Sequence, residues 1–184
     1  MPVVISMLRG VNVVGRNKIK MDVLRDLYVS LGLLEVQTHV QSGNVVFKTK
    51  AKDLATLAKQ IEDAIERKFG FRPSVLLRTT SELRDVVARN PFANRTGIDN
   101  SKFLVTFLAT APRPEVRDEL VKVKTAGEEV HVGGCELYIY FPDGMGRSKL
   151  WRAIERTLKK SGTGRNWNTV TKLLEIAEHL ERVR

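Results

Sequence analysis

Short apolar runs alternate with stretches of helical periodicity in the first half of the chain. The apolar runs have the length and β-branched content of buried strands, and the longer stretches place leucine and isoleucine three or four residues apart, which predicts amphipathic helices. Ser42-Gly43 lies between the second and third runs and predicts a hairpin. The predicted elements are strands at Val3–Leu8, 36–41, Asn44–Lys48 and 74–78, and helices at 21–31 and 53–69. Their order, β-α-β-β-α-β, is typical of the ferredoxin-like arrangement.

The second half begins the same order again. A short helix at 81–89 leads into residues 90–100, whose Pro, Gly and Asn content indicates a domain boundary. The elements predicted beyond it are strands at 102–108, Glu129–Val132 and 135–141, and helices at 112–123, 148–160 and 169–180. We therefore expect an α+β protein with two ferredoxin-like (βαββαβ-type) subdomains, the second lacking its last strand and ending in helices. The first would span residues 1–80, the helix and linker 81–100, and the second 101–184.

Composition narrows the class of protein. The 184 residues are 42% hydrophobic and 28% charged, which is typical of a globular protein that folds in water. The single cysteine excludes an internal disulfide and a metal site built on paired thiolates. No stretch approaches the roughly 18 apolar residues of a membrane span, and the N-terminus has no secretion signal. We expect a cytoplasmic protein with no membrane partner.

The positive charge lies at the two ends of the chain. The net charge is +10 and the sequence pI is about 9.9. Residues 1–25 carry a net +4, residues 26–146 a net zero, and residues 147–184 a net +6. A pI above roughly 9 indicates nucleic acid or another polyanion as partner. The alternative is a charged surface that serves only solubility.

Topology brings two polar segments to one edge of the first predicted sheet. The first two strands run in the same direction, so the loop at 9–20 and the hairpin at 41–44 lie at the same end. That loop opens a helix, and helix N-termini favour anions. Three basic side chains would contact anionic oxygens, and four amide or hydroxyl side chains would orient the ligand. The seven candidates are Arg9, Lys18, Lys20, Asn12, Gln41, Ser42 and Asn44. The alternative is that these segments serve only to turn the backbone.

Residues 161–169 form a second concentration of hydrogen-bond donors, predicted as a link between two helices. Arg165, Asn166 and Trp167 are candidates to clamp the same ligand, with the indole stacking on a base or sugar. The alternative is that Trp167 anchors the last helix in the core. Ser148, just before another helix, is predicted to be its N-cap.

Catalytic and metal-binding patterns are weak. His39, His131 and His179 show no ligand spacing, so no metal site is predicted. Cys135 follows a Gly-Gly turn and is interpreted as a packed residue. The sequence indicates no cofactor, and it decides neither for nor against an enzyme. The first predicted strand has no aromatic residue, which argues against base stacking on the sheet as in RNA-recognition modules.

Several motifs resemble a bacterial family known as domain of unknown function 1697. They are residues 8–13 (LRGVNV), 17–21 (NKIKM), 40–47 (VQSGNVVF), 90–92 (NPF), 146–150 (GRSKL) and 163–169 (TGRNWNT). The family commonly has two glycines where this chain has Val14-Gly15, and commonly a tyrosine at His39. The resemblance implies an α+β fold with two subdomains and implies no activity.

These observations favour a module that binds an anionic ligand, either nucleic acid or a phosphorylated small molecule, at the basic edge. One alternative is an enzyme that acts on a phosphorylated or acyl metabolite at that edge. Another is a protein-interaction module without a small ligand. The oligomeric state is not indicated by the sequence.

Overall fold

The protein is described by a computed structural model that covers residues 1–123, 127–158 and 161–183. The chain forms two compact units, Met1–Arg84 joined by the residues from Lys172 onward, and Asp85–Thr171. Both are α+β, and each contains a four-stranded antiparallel sheet. In the described part of the chain, no helix has both the length and the apolar composition needed to cross a bilayer.

The first unit has the predicted order of strands and helices. Its sheet runs β2-β3-β1-β4, and every neighbouring pair is antiparallel. The elements are β1 (Val3–Leu8), α1 (Met21–Ser30), β2 (Leu34–His39), β3 (Asn44–Lys48), α2 (Leu54–Phe69) and β4 (Val75–Thr79). Strand β1 starts beside the end of β3, with Val3 opposite Lys48, and ends beside its start, with Met7 opposite Asn44. The sheet therefore has two distinct ends, which carry different loops.

The local sequence explains where α2 begins and ends. The Asp53 side chain caps it by accepting hydrogen bonds from the amides of Ala55 and Thr56. Gly70 ends it in the left-handed conformation, with φ of +78°. Between these signals the helix buries one apolar face, including Ile61 and Ile65, against the sheet-side core.

The second unit contains a strand that the sequence did not predict. Its elements are β5 (Phe103–Phe107), α4 (Pro114–Lys122), β6 (Glu129–Val132), β7 (Glu136–Tyr140), α5 (Lys149–Thr157) and β8 (Thr163–Asn166). The sheet order is β6-β7-β5-β8, and β8 pairs with β5. The prediction that this half lacks its last strand was therefore wrong. Strand β8 is a four-residue edge strand of polar residues and glycine, and it lacks the apolar alternation that marks a strand.

Each of the two points at which the chain divides into units falls inside a helix. Helix α3 (Thr80–Ala88) contains the division after Arg84, and helix α6 (Trp167–Arg182) contains the division at Lys172. The sequence analysis assigned residues 81–100 to a helix and linker, and it assigned all of the last helix to the second subdomain. The predicted helix 148–160 ends as α5 at Thr157, and residues 159 and 160 lie outside the described part.

The last residues of the chain are attached to the first unit. The Lys48 ammonium, which is buried, donates a hydrogen bond to the Val183 carbonyl at 2.7 Å. It also pairs with Glu35 at 2.8 Å. On α3, the Arg84 guanidinium pairs with Glu178 of α6 at 3.0 Å. The N-terminal unit therefore includes α6 from Lys172 onward.

Candidate functional site

The loop after β1 meets the turn between β2 and β3, as the topology predicted. The Asn12 carboxamide nitrogen donates to the Gln41 carbonyl at 2.7 Å and to the Ile19 carbonyl at 2.9 Å. The Asn12 carboxamide oxygen accepts from the Ile19 amide at 2.9 Å. We call the surface formed by residues 9–20 and 41–44 the rim. The Asn12 side chain joins the two segments of the rim.

The loop is also held by bonds within itself. The Arg16 amide donates to the Val13 carbonyl at 2.9 Å, which closes a tight turn at the tip of the loop. The Asn17 side chain donates to the Gly10 carbonyl at 2.9 Å, and the Asn12 amide donates to the Asn17 carbonyl at 3.1 Å. The loop therefore has a defined conformation, although most of it faces solvent.

This conformation requires several left-handed residues. Asn12, Val14 and Asn17 have φ of +56°, +47° and +51°. Asparagine tolerates this region, but a β-branched residue in it is strained. The Val14 side chain is 95% exposed, so no packing compensates for the strain. Backbone strain of this kind concentrates at binding and catalytic sites.

The rim carries four cationic side chains. Arg16, Lys18 and Lys20 are exposed and Arg9 is half-buried. Among the residues that the structure describes, none of the four forms an ion pair with a carboxylate. Their charge is therefore not neutralised within the described molecule, unlike that of Arg72, which pairs with three carboxylates.

The N-terminus of α1 adds to the positive potential of the rim. Lys20 occupies the N-cap position and makes no side-chain capping bond. Asp22 is the acidic residue of the first turn, and its carboxylate accepts from the Val23 amide at 2.8 Å. The partial positive charge of a helix start favours anions within about one turn.

The hairpin turn is built for close packing. The Asn44 side chain is fully buried and donates to the His39 carbonyl at 3.1 Å and to the Ser42 hydroxyl at 2.9 Å. Gly43 has φ of +73°, and a Cβ there would lie 2.8 Å from the Cβ of Leu8. Asn44 and Ser42 thus shape the turn, whereas the Gln41 side chain is exposed beside them.

Arg165, Asn166 and Trp167 lie in the second unit. Arg165 is a buried residue of β8 that donates to the Gly164 carbonyl at 2.8 Å, and burial lowers its pKa to about 10. The Asn166 side chain accepts from the Thr169 amide at 2.9 Å and so caps α6. The Trp167 indole is 8% exposed and stacks on Phe103 at a centroid distance of 4.7 Å. Each of the three has a structural role within its own unit.

Sequence reasoning did not single out Arg78, which is related to Arg165 by position. Arg78 lies opposite Ile5 on the last strand of the first sheet, and Arg165 lies opposite Val105 on the last strand of the second. Both are buried, and Arg78 also donates to the carbonyl of the residue before it, at 3.0 Å. An alignment of the two halves of the sequence by their strands would have placed Arg78 and Arg165 at equivalent positions.

Other reactive groups of the described chain are isolated. No group of three His, Cys, Asp or Glu side chains in the described ranges is placed to hold a metal ion. Partial burial and the charge of Lys172 lower the pKa of His39 below its usual value. Cys135 is partly buried. The chemistry of the rim is therefore that of cations and amides.

The fold and the rim together define an α+β protein with two four-stranded antiparallel sheets and a cationic loop edge. A family described as "Protein of unknown function (DUF1697)" matches residues 1–138. The chain belongs to this family, as the resemblance in its motifs indicated. No curated protein matches the sequence.

A solved structure shares the fold. The conserved bacterial protein SP0830 from Streptococcus pneumoniae superposes with a TM-score of 0.73 at 20% sequence identity. The alignment covers 96% of this chain and 98% of the other. At this identity, the likeness concerns the fold alone.

Proposed function

We propose that the rim binds the phosphate oxygens of an anionic ligand, either a nucleic acid or a phosphorylated small molecule. The observation that carries this proposal is the set of four cations on an ordered loop with no carboxylate partner in the described structure. Unpaired cations on one surface produce a positive potential that attracts anions and speeds their association.

The residues of the rim have two kinds of role in this proposal. Arg9, Lys18 and Lys20 contact the anionic oxygens, and Arg16 joins them because it is exposed at the tip of the same loop. Asn12, Ser42 and Asn44 hold the loop and turn in place, since their side chains bond to the protein itself. Gln41 is the exposed amide that orients the ligand.

The rim is proposed to act without the second group of candidates. Trp167 is stacked on Phe103 and Asn166 caps a helix, so their side chains serve the second unit. Two cavities of the described chain, with volumes of about 290 and 410 Å³, are lined by residues outside the rim. Because Arg16, Lys18 and Lys20 are exposed, a ligand that lies along a surface, such as a nucleic-acid strand, suits the rim well.

We also propose that both units are ferredoxin-like. The order β2-β3-β1-β4 in the first sheet and β6-β7-β5-β8 in the second, with antiparallel neighbours, support this. In each case the first strand of the unit lies in the centre, between the third and fourth strands. A cytoplasmic location stays a prediction from the sequence.

The proposal is tested by fluorescence anisotropy with a single-stranded oligonucleotide of roughly twenty nucleotides, titrated over a range of salt concentrations. Binding should weaken steeply as salt rises. The slope of log K against log salt is negative for such binding. The double variant with Lys18→Ala and Lys20→Ala should have a slope shallower by about 1.4, because each single-strand phosphate contact contributes about 0.7. Lys59→Ala, an exposed lysine on α2, is the matched control and should leave the slope unchanged.

A second arm uses pyrophosphate in calorimetry to detect the small-molecule version. Binding of pyrophosphate alone, lost in the Lys18→Ala and Lys20→Ala variant, would identify a phosphorylated small molecule as the ligand class. The absence of both oligonucleotide and pyrophosphate binding at low salt would refute the proposed function.

A further inference from the structure

The first unit has a cavity at the end of the sheet where β1 begins and β3 ends. The register places Val3 and Lys48 at this end, whereas the rim lies beyond Met7 and Asn44 at the other. The cavity has a volume of about 410 Å³. Its walls are Met1, the turn between α1 and β2, the residues after β3, and the first half of α2.

The inner wall of this cavity is apolar. Leu33 and Leu57 line it and are also buried members of the core of the first unit. Leu34 lies at the mouth with 45% of its surface exposed. Exposed leucine surface is unfavourable in water, and a ligand that covers it gains hydrophobic free energy.

The backbone at the mouth is irregular. The pairing of β2 with β3 shifts register between Leu34 and Gln37, and Glu35 has φ of +51°. Such bulges redirect side chains and are common next to binding sites. Here the irregularity accompanies a leucine left half-exposed beside a cavity.

The polar part of the lining has cationic and neutral groups. Lys50 and Gln60 line the cavity and are exposed, and Thr49 lines it with its hydroxyl oxygen accepting from the Ala51 amide at 3.1 Å. The lining includes no carboxylate. Within the described chain Lys50 forms no ion pair, and Glu35 nearby is paired with Lys48.

We propose that this cavity binds a small amphiphilic anion, an unbranched aliphatic carboxylate with a chain that contacts Leu33, Leu34 and Leu57. Its carboxylate pairs with the Lys50 ammonium and accepts a hydrogen bond from the Thr49 hydroxyl. A cavity of this size is at the small end of ligand sites, so a ligand of about ten non-hydrogen atoms fits. Octanoate has that size and both chemical features.

The test is calorimetric titration of the full chain with octanoate, butanoate and 1-octanol. Octanoate should bind saturably at one site. Butanoate, which is four methylenes shorter, should bind roughly 250-fold more weakly, because each buried methylene contributes about fourfold in affinity. Lys50→Ala should weaken octanoate about tenfold, as expected for one charge-assisted contact, and leave 1-octanol unchanged.

Two further variants separate this site from general charge and from unfolding. Lys52→Ala removes a neighbouring exposed lysine that does not line the cavity, and it should leave octanoate binding unchanged. Leu34→Ser should weaken octanoate and 1-octanol by a similar factor, with circular dichroism confirming that the variant is folded. NMR shifts on octanoate addition should centre on Gly32, Leu33 and Ala51.

Three results would overturn the proposal: binding that does not saturate, affinity that does not depend on chain length, or equal binding by the Lys50→Ala and wild-type chains. The proposal is independent of the rim. The Lys18→Ala and Lys20→Ala variant should bind octanoate like the wild type, so either site can fail without the other.

Discussion

The strained valine at the tip of the rim loop predicts a stabilising substitution. Val14 has φ of +47°, and its side chain is 95% exposed. Replacing it with glycine removes a left-handed penalty of roughly 1–2 kcal/mol, and for a β-branched residue the upper part of that range applies. Glycine increases the entropy of the unfolded chain, which costs about 0.5–1 kcal/mol. Val14→Gly should therefore stabilise the first unit by about 1 kcal/mol.

The assay is thermal unfolding followed by circular dichroism and by calorimetry. For a chain of this length, about 1 kcal/mol raises the melting temperature by roughly 2–4 °C. Because the chain has two units, the transition that moves should be assigned to the first unit by NMR or hydrogen exchange.

Val13 is the matched control for this substitution. It is the adjacent residue, it is also exposed, and its φ is not positive. Val13→Gly should destabilise by about 0.5–1 kcal/mol, because it gains unfolded-state entropy without relief of strain. If Val14→Gly destabilises the protein as much as Val13→Gly does, the strain assigned to Val14 does not exist.

Three other perturbations test the packing around the candidate residues. Gly43→Ala should destabilise the first unit by about 2–3 kcal/mol in a denaturant titration, because φ at this position is positive and the added Cβ would lie 2.8 Å from that of Leu8. Gly10 has a similar φ and nothing within 4 Å of an added Cβ, so Gly10→Ala should destabilise it by only about 1 kcal/mol in the same titration. Trp167→Ala should destabilise the second unit by about 3–5 kcal/mol in urea unfolding, and a loss under 1 kcal/mol would contradict its buried placement. Burial raises the pKa of Tyr138 to about 12, so its stabilising contribution is complete below pH 10 and is lost as the pH rises towards 12. Near-ultraviolet absorbance should show a titration close to pH 12 that Tyr138→Phe removes.

The sequence predicted the elements whose signals are local. Helix α2 has a capping aspartate, an apolar stripe and a terminal glycine, and the structure has it at Leu54–Phe69. Ser148 was predicted as an N-cap, and its hydroxyl accepts from the Trp151 amide at 2.9 Å. Strand β8 was missed because its three polar residues and one glycine give no strand pattern, and its pairing with β5 is a tertiary contact.

The sequence predicted that the two segments of the rim meet, but not the hydrogen bonds that hold them together. The meeting of the two rim segments follows from strand direction, which the element order determines. The bonds of Asn12 and Asn44 to backbone carbonyls could not be predicted, because they depend on where those carbonyls point in the folded loop. The core position of Trp167 was the alternative that the sequence offered, but its partner Phe103, more than sixty residues earlier, was not predicted.

The division of the chain has a consequence for synthesis on the ribosome. The second unit is one continuous segment, Asp85–Thr171, whereas the first needs the residues from Lys172 onward. Domains that fold during translation do so once all their residues have emerged. The unit translated first is thus completed last, and until the residues from Lys172 onward have emerged, the Lys48 ammonium has no Val183 carbonyl to bind.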